Sequence, residues 1–365
     1  MQANLLILGA GPMAARLIDE VEALEFAPYV VAGVVDNQRP DPESPIAQRW
    51  LGTCDELDAI VARVRPTRIV VAIENRRDGL PLQSLLESRV SGIDVEDAIE
   101  LYERITGKIA IEALRPSTLI LSKGFRNHGA AEMTARMVSV LAAVIGLVIC
   151  APLLAAIALF VKLDSEGPVL FVQPRAGRHG RSFGLLKFRT MHPTDEPSSE
   201  WAVDNVHRIT RVGRYLRRFR LDELPQLINV LRGEMNLIGP RPHPVSNHST
   251  FMEHIAYYGL RSTVRPGVTG WAQVRYGYAN NLDEETEKMR YDLYYIKNRT
   301  LWLDLRIMFA TIGIVLFGQD AAEVRHPAPM GRDLWAPAPR VLAKEIAYLP
   351  VLADQGTPHP TTGPQ

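Results

Sequence analysis

Two adjacent carboxylates, Asp222 and Glu223, are the residues of this sequence best placed for chemistry. They stand just ahead of Pro225, and proline is favoured in the first turn of a helix. They also follow a segment, 204–220, that holds six arginines and one carboxylate. A helix dipole and nearby arginines both favour ionised carboxylates. An ionised aspartate can attack phosphorus and form an acyl phosphate, while a neighbouring glutamate can hold Mg²⁺ against a diphosphate.

An isolated Asp-Glu pair is more often a solvated helix start, so the case for chemistry depends on the surrounding motifs. Three of them present cations on backbone shaped by glycine or proline: GLLKFRTM at 184–191, GPRP at 239–242 and RPGVTGW at 265–271. A guanidinium group suits phosphate oxygens because its planar fork donates two parallel hydrogen bonds. We therefore predict four residues that bind substrate phosphate: Lys187, Arg189, Arg241 and Arg265. Trp271 or Tyr276 could offer an aromatic surface to a uracil or sugar ring, and for Trp271 a place in the core is the alternative.

The first 110 residues alternate strand and helix signals. Apolar runs at Leu5–Leu8, Tyr29–Val35 and Arg68–Ile73 are separated by segments with helical periodicity. Strand, crossover and strand in this order predict a parallel α/β sheet.

A glycine-rich turn follows the first of these strands. Gly9-x-Gly11-x-x-Ala14, with Asp36 closing the second strand, has the spacing of a dinucleotide-binding fingerprint. The pattern alone leaves two alternatives open: Gly9, Gly11 and Asp36 bind a nucleotide, or this Rossmann-like domain is structural or regulatory.

The segment Met137–Phe160 carries no charged residue and has Pro152 near its middle. As a straight helix it would be about 36 Å long, enough to cross a hydrocarbon core of about 30 Å. A proline inside a helix removes a backbone hydrogen bond and favours a kink. Each limb alone, at about 22 Å and 16 Å, is too short to cross. The segment is therefore one kinked span or a re-entrant hairpin. We favour the hairpin, because a full span would place the two nucleotide-related halves of the chain in different compartments.

The rest of the chain is a mixed, arginine-rich region followed by an apolar segment and a tail. Leu301–Phe317 holds two charged residues near its start, which suits a helix lying in the membrane interface. The tail is rich in proline and alanine and is predicted to be largely disordered. The predicted organisation is a Rossmann-like domain (1–110), a connector (111–135), a membrane helix (136–163), a catalytic α/β domain (164–318) and the tail (319–365).

The region from Met133 to Gly318 resembles the bacterial sugar transferase family, the monotopic polyprenyl-phosphate phosphoglycosyl transferases. The matching blocks occur in one order: the apolar run with its proline, LDSEGPVLFVQPRAGRHGRSFGLLKFRTM, LDELPQLINVLRGEMNLIGPRPH, RPGVTGWAQV and EKMRYDLYYIKNRTLWLDLRIM. The resemblance implies a re-entrant membrane helix followed by a mixed α/β catalytic domain with interfacial helices. The family breaks its membrane helix at a Ser-Pro pair, where this chain has Ala151-Pro152.

The resemblance also implies an activity, which is the transfer of hexose 1-phosphate from a UDP-sugar to undecaprenyl phosphate with release of UMP. Asp222 would be the covalent nucleophile, and Glu223 would belong to the Mg²⁺ site. The enzyme would act on the cytoplasmic face of the bacterial inner membrane.

The residue at position 243 indicates which type of member the chain resembles. Small members usually have glutamate where this chain has His243. Histidine there is more typical of the longer members, which initiate exopolysaccharide synthesis and carry a Rossmann-like domain. A second copy of the chain and other polysaccharide-assembly proteins are the partners this implies. We also expect residues 1–110 to be dispensable for the chemistry.

Two other functions remain as alternatives. A nicotinamide-dependent sugar reductase or epimerase would rest on residues 1–110 and leave the 214–243 block unexplained. A membrane scaffold that binds anionic lipid headgroups would use the arginines but not Asp222 and Glu223. Lysine plus arginine equals aspartate plus glutamate, so the net charge indicates no nucleic-acid partner, and two distant cysteines indicate neither a disulfide framework nor a zinc site.

Overall fold

The protein is described by a computed structural model that divides into two compact units. The described residues are 2–24, 28–73, 79–114, 119, 124–125, 129–192, 207–277, 279 and 281–317. Within them, the first unit contains residues up to Glu132 and returns at Trp271–Ala310. The second unit contains Met133–Gly270 and resumes at Thr311. The predicted disordered tail lies outside the described residues.

The first unit contains a five-stranded sheet with the strand order β3-β2-β1-β4-β5. Its strands are β1 (Ala3–Leu8), β2 (Tyr29–Val35), β3 (Trp50–Gly52), β4 (Arg68–Val71) and β5 (Asp94–Asp97). The helices between or after them are α1 (Pro12–Ala23), α2 (Leu57–Val64), α3 (Leu82–Val90) and α4 (Ala98–Thr106). Every strand pair is parallel, and parallel neighbours require crossover connections. The predicted parallel α/β sheet is confirmed.

Helices cover both faces of this sheet. Leu5 and Ile7 of β1 lie in a core with α1 and α4, whereas Leu6 and Leu8 lie in a second core with α2 and α3. All four side chains are fully buried. Successive residues of a strand point to opposite faces, so a strand buried on both sides reads as a continuous apolar run.

The first unit also includes three helices from much later in the sequence. They are α9 (Trp271–Arg275), α10 (Leu282–Lys297) and the first turns of α11 (Leu301–Phe317). Nine of the 16 residues of α10 are buried. Ion pairs attach α10 to the segment around α4: Lys108 contacts Glu287 at 2.7 Å, and Lys297 contacts Glu103 at 2.7 Å.

The long apolar helix, α5 (Gly129–Asp164), has 36 residues, or about 54 Å of helix. It is the one helix in the described part of the chain that is long and apolar enough to cross a membrane, with a mean hydropathy of 2.9 in its most apolar window. Only 11% of that window is buried. The backbone stays helical through Pro152, so the two limbs form one helix without an intervening turn. The side of the membrane on which each end lies stays a prediction.

The second unit packs short elements along α5. They are β6 (Leu170–Ala176), β7 (Ser182–Phe188), α6 (Arg211–Arg218), α7 (Gln226–Arg232), β8 (Asn236–Ile238), α8 (Val245–His254) and β9 (Gly267–Thr269). The β6-β7 pair is antiparallel and the β8-β9 pair is parallel. Ala143 in the first limb of α5 shares a core with β7 and α7, and Ile157 and Val161 in the second limb share one with β7 and α6. The predicted mixed α/β architecture of this region is confirmed.

Candidate active site

Asp222 and Glu223 lie in a single 3-10 turn, Leu221–Glu223, between α6 and α7. Arg220 precedes this turn in the left-handed region, with a φ of 56°. Such a conformation is uncommon for a residue with a side chain and costs about 1–3 kcal/mol, so other contacts must hold it in place. Both carboxylates that follow Arg220 are only 7% exposed.

Glu223 is held by a forked ion pair with Arg241. The Arg241 guanidinium donates to the two carboxylate oxygens at 2.6 and 3.1 Å. Arg220 adds a weaker contact at 3.6 Å. Planar, two-pronged pairs of this kind are stronger and more directional than single hydrogen bonds.

Asp222 differs from its neighbour in the pairing of its carboxylate oxygens. Its Oδ1 atom is buried and, among the described residues, has no hydrogen-bond partner. Glu223 is therefore paired through both of its oxygens, whereas Asp222 keeps a buried oxygen that could bond to a substrate.

The pKa values of the two carboxylates shift in opposite directions. Burial, together with the charge of Glu223, raises the pKa of Asp222 from 3.8 to about 6, although Lys187 and Arg217 act to lower it. Burial also acts to raise the pKa of Glu223, but Arg241 and Lys187 outweigh it and hold that pKa well below its usual range. The arginines thus act on Asp222 in the direction expected from the sequence, but burial and the adjacent charge of Glu223 outweigh them and raise its pKa.

Lys187 reaches the same site from β7. Burial and the nearby Arg241 lower its pKa to about 7, against the opposing effect of Glu223. Asn229 of α7, which is fully buried, fixes this strand by accepting from the Leu186 N–H at 3.0 Å and donating to the Gly184 carbonyl at 2.8 Å. The strand that carries Lys187 is therefore tied to the helix that follows the two carboxylates.

Arg241 belongs to the loop 239–242, which follows β8 and is anchored to β9. The Gly239 N–H donates to the Thr269 carbonyl, and the Gly267 N–H donates to the Pro240 carbonyl, both at 2.9 Å. A Cβ atom on Gly267 would lie 2.1 Å from the Gly239 nitrogen. Glycine is required here because the two backbones approach too closely for any side chain.

Two of the four predicted phosphate-binding cations lie elsewhere in the unit. Arg189, only 6% exposed, donates to the Ser165 carbonyl at 2.7 Å and to the Pro168 carbonyl, which follow the end of α5. Arg265 donates to the Gly233 carbonyl at 3.2 Å, at the end of α7. The structure thus brings Lys187 and Arg241 to the carboxylates but uses Arg189 and Arg265 to satisfy backbone carbonyls.

Three residues in or next to this part of the chain were not predicted individually. Arg217 and Arg220 act electrostatically on the carboxylates, and the sequence showed them only as members of an arginine-rich segment. Gln226 is 1% exposed, and its amide nitrogen has no hydrogen-bond partner among the described residues. The signal for Gln226 was its position four residues after Asp222, a spacing that places side chains on one helical face.

The carboxylates fit a Mg²⁺ ion that is shared with a substrate. Within the described residues, no group of three or more His, Cys, Asp or Glu side chains could hold a metal by itself. Mg²⁺ commonly uses one or two carboxylates together with substrate phosphates and water. Glu223 could supply such a carboxylate if it shared its oxygens with Arg241, and Asp222 places a second buried carboxyl group beside it.

The two aromatic candidates lie in the first unit and are core residues. Trp271 is 3% exposed, donates from its indole nitrogen to the Gly107 carbonyl at 2.9 Å, and has the Arg275 guanidinium over its ring. Tyr276 is 5% exposed and packs beside Tyr291. For Trp271, the structure has the core role of the two alternatives left open by the sequence; Tyr276, which was expected to offer a surface, is buried as well.

The Asp36 carboxylate, directly after β2, holds the glycine-rich turn of the first unit. Asp36 accepts from the backbone N–H groups of Ala10 at 2.6 Å and Gln38 at 2.9 Å. Gly9 has a φ of +106° and packs against the backbone of Ala72 and Ile73. The turn is thus stabilised internally, and nucleotide binding by Gly9, Gly11 and Asp36 stays a prediction.

Comparison with known proteins assigns the family. Residues 130–318 match the family described as bacterial sugar transferase, and the chain belongs to this family. The match contains the two carboxylates, Lys187 and Arg241, and it extends through α10 and α11.

The similar proteins are sugar phosphotransferases of bacteria. The chain is 38% identical to a UDP-N-acetylgalactosamine-undecaprenyl-phosphate N-acetylgalactosaminephosphotransferase of Aeromonas hydrophila over 72% of this chain and 59% of that protein. It is 33% identical to an undecaprenyl-phosphate glucose phosphotransferase of Komagataeibacter xylinus over 86% of this chain and 59% of that protein. With a UDP-glucose:undecaprenyl-phosphate glucose-1-phosphate transferase of Escherichia coli the identity is 31%, over 84% and 65%. The chain therefore spans less than two thirds of the length of these relatives.

Proposed function

We propose that this protein transfers a sugar 1-phosphate from a UDP-sugar to undecaprenyl phosphate, and that Asp222 carries the sugar phosphate between the two. The observation that carries the proposal is the buried Asp222 Oδ1, which lacks a hydrogen-bond partner among the described residues and lies beside Glu223, Lys187 and Arg241. The family membership and the names of the relatives support the same reaction class.

The reaction consists of two displacements at one phosphorus atom. In the first, Asp222 Oδ1 bonds to the β-phosphorus of the UDP-sugar, and the bond from that phosphorus to the bridging oxygen breaks, so that UMP leaves with this oxygen. In the second, an oxygen of undecaprenyl phosphate bonds to the same phosphorus and regenerates the Asp222 carboxylate. The product is a sugar linked to undecaprenyl diphosphate. Splitting the transfer in this way replaces one difficult step by two easier ones.

The cations of the site would act on charge that develops at the phosphoryl oxygens. Lys187, Arg217 and Arg241 influence Asp222 electrostatically, so they are close enough to stabilise an anion formed on it. Glu223 holds Arg241 in a fixed orientation before substrate binds. A Mg²⁺ ion bound by Glu223 and the substrate diphosphate would supply further charge neutralisation.

The membrane is the natural location for this reaction, because one substrate is a lipid. The exposed side of α5 presents large apolar residues along its whole length, among them Met137, Leu141, Val148, Leu159 and Leu163. An apolar surface of this extent indicates a membrane contact. We propose the cytoplasmic face of the inner membrane, where UDP-sugars are available, and a role in initiating exopolysaccharide or a related glycan.

A single assay separates this function from the reductase and scaffold alternatives. Purified protein with Mg²⁺, undecaprenyl phosphate and a panel of UDP-glucose, UDP-galactose and their N-acetyl derivatives should release UMP with at least one donor. With a donor labelled at the β-phosphorus and no acceptor, the label should become attached to the protein and should be absent from Asp222→Asn. If UMP forms without a labelled protein, the covalent step is wrong; if no donor releases UMP, the transferase function is wrong.

A further inference from the structure

The residue that pairs with Glu223 is itself held by a second arginine. Arg261 lies in the 3-10 turn Tyr258–Thr263 and is 6% exposed. Its Nη2 atom donates to the backbone carbonyl of Arg241 at 2.7 Å. Arg241 therefore has its backbone fixed by Arg261 and its side chain fixed by Glu223.

Arg261 is in turn fixed by two buried aromatic residues. Its Nη1 atom donates to the Tyr258 hydroxyl at 3.0 Å and to His243 Nδ1 at 2.8 Å. A guanidinium group has donors only, so His243 Nδ1 must be the unprotonated, accepting nitrogen. The Tyr258 hydroxyl also lies against this nitrogen, so the two donors share its single lone pair. Both aromatic residues are almost fully buried.

The loop is also held from its other side, by β6. Arg175 donates to the Pro242 carbonyl, and the Ala176 N–H donates to the His243 carbonyl, each at 2.9 Å. These contacts fix the end of the loop that leads away from Glu223. At Arg241 itself the backbone carbonyl is held by Arg261.

We infer that Arg261 is a positioning residue, which sets the Arg241 guanidinium against Glu223 and the substrate phosphates, and that His243 and Tyr258 fix Arg261 for this task. The inference rests on the proposed function, because it assigns Arg241 a role in phosphate transfer. Its physical basis is the sensitivity of such reactions to placement, since a shift of about 1 Å can lower a rate about 100-fold.

A double-mutant cycle tests whether Arg261 acts through Arg241. Arg261→Met should lower kcat/KM for UMP release between about 10- and 100-fold. In an Arg241→Gln background the same substitution should have almost no further effect, because the group that it positions is already gone. The same cycle, measured by calorimetry as UDP-sugar affinity in Asp222→Asn protein, gives a second readout where turnover is too slow to follow.

Arg136→Met is the matched control for this cycle. Arg136 also donates to two backbone carbonyls of the second unit, those of Val230 and Met235, but not to the 239–242 loop. Any activity that its substitution costs through lost stability should therefore add to the effect of Arg241→Gln. Additive behaviour for Arg261→Met as well would mean that Arg261 is merely structural, and would overturn the inference.

A conservative and a disruptive substitution at His243 test the inference in a second way. Asparagine places an oxygen close to the position of Nδ1 and can still accept from Arg261, so His243→Asn should keep most of the activity. His243→Leu leaves Arg261 without this acceptor and should resemble Arg261→Met. Equal activity of the two His243 variants would contradict the inference. Absence of UMP release from the unmodified protein would instead refute the proposed function, and the calorimetric cycle would still decide the role of Arg261.

Discussion

At the scale of single residues, Asp222 and Glu223 have nearly the same burial but opposite electrostatics, because only Glu223 has Arg241 as a forked partner. Asp222 keeps a buried oxygen without a hydrogen-bond partner among the described residues. The folded protein therefore disfavours the ionised form of Asp222. Groups with a pKa perturbed in this way are typical of reactive sites. Stability and reactivity should respond in opposite ways when this residue is changed.

We predict that Asp222→Asn abolishes transfer and stabilises the protein. The pKa of Asp222 rises from 3.8 to about 6 on folding, so at neutral pH its charge costs the folded state roughly 3 kcal/mol, at about 1.4 kcal/mol for each pH unit. Asparagine removes that charge with little change in volume. The melting temperature in detergent should rise while UMP release falls below a few per cent. A variant that retains more turnover than this would exclude the covalent mechanism.

Glu223→Gln is the matched comparison, and its effect on stability should have the opposite sign. Glu223 is stabilised by its pairing with Arg241, and breaking a buried pair typically costs about 3–5 kcal/mol. The melting temperature should therefore fall. The Mg²⁺ concentration that gives half-maximal rate should rise if Glu223 is a ligand, and an unchanged titration would exclude that role.

The pH dependence of the first step should follow Asp222. The nucleophile must be ionised, so the rate of UMP release should fall as the pH drops through about 6, where this carboxyl takes up its proton. Lys187 acts to lower the pKa of Asp222, so Lys187→Met should move the midpoint to higher pH. A midpoint near 4 in the unmodified protein would contradict the burial of Asp222 as the controlling effect.

Gln226 should contribute to rate and detract from stability. Its buried amide nitrogen lacks a partner among the described residues, and it lies four positions after Asp222, so a phosphoryl oxygen on Asp222 is a suitable acceptor. Gln226→Met should lower kcat about 10-fold while raising stability by about 1 kcal/mol, since an unsatisfied buried donor is removed. Thermal unfolding and steady-state kinetics on the same sample would measure both. An unchanged kcat would exclude a role in the reaction.

The sequence could identify a site residue where one short motif contained both that residue and the neighbours that explain its role. Asp222, Glu223 and Arg241 could be identified in this way, and the structure brings them together. Arg189 and Arg265 could not be assigned, because a guanidinium suits backbone carbonyls as well as phosphates, and only packing decides which lies in reach. The direction of the Asp222 pKa depends on burial, which a sequence does not report.

At the scale of elements, α5 contacts the second unit with both of its limbs. Ala143 packs with α7, and Ile157 and Val161 pack with α6. Exposed arginines of both helices, such as Arg214 of α6 and Arg232 of α7, cannot lie in hydrocarbon at reasonable cost. Elements that must stay near water therefore accompany α5 at both ends, and this geometry disfavours a full span. From the sequence, Pro152 could not distinguish the favoured hairpin from the continuous helix that the structure has.

We predict that both ends of α5 lie on the cytoplasmic side of the membrane. In a background with Cys54 and Cys150 replaced by serine, single cysteines at Ala130 and Gly180, both exposed, should react with an impermeant maleimide only after cells are permeabilised. An engineered periplasmic cysteine in a separate marker protein serves as the control for labelling in intact cells. Labelling of one position alone in intact cells would establish a full span.

At the scale of the whole molecule, the boundary of the family does not coincide with a boundary of packing. The family match covers residues 130–318, yet α10 belongs to the first unit. There Arg290 pairs with Glu112, and the Ile109 N–H donates to the Arg290 carbonyl. The expectation that residues 1–110 are dispensable for the chemistry stays a prediction, and the packing sets a cost on it, because their removal would uncover the buried face of α10. No local pattern could reveal this, since the partners lie more than 170 residues apart in sequence.

A charge reversal in the intact chain tests how strongly α10 depends on the N-terminal segment. Glu103 and Lys297 form a two-pronged pair that is largely shielded from solvent. Glu103→Lys or Lys297→Glu alone places like charges together and should lower stability by about 3 kcal/mol or more. The double reversal restores an opposite pair and should recover most of that loss. Thermal unfolding should be measured together with UMP release, since a loss of both in the single variants would show that the transferase depends on this packing.

Reversal of the exposed pair Glu22 and Arg49 is the matched control and should change stability by no more than about 0.5 kcal/mol. Single reversals at Glu103 and Lys297 that behave like this control would show that α10 is not held by the N-terminal segment.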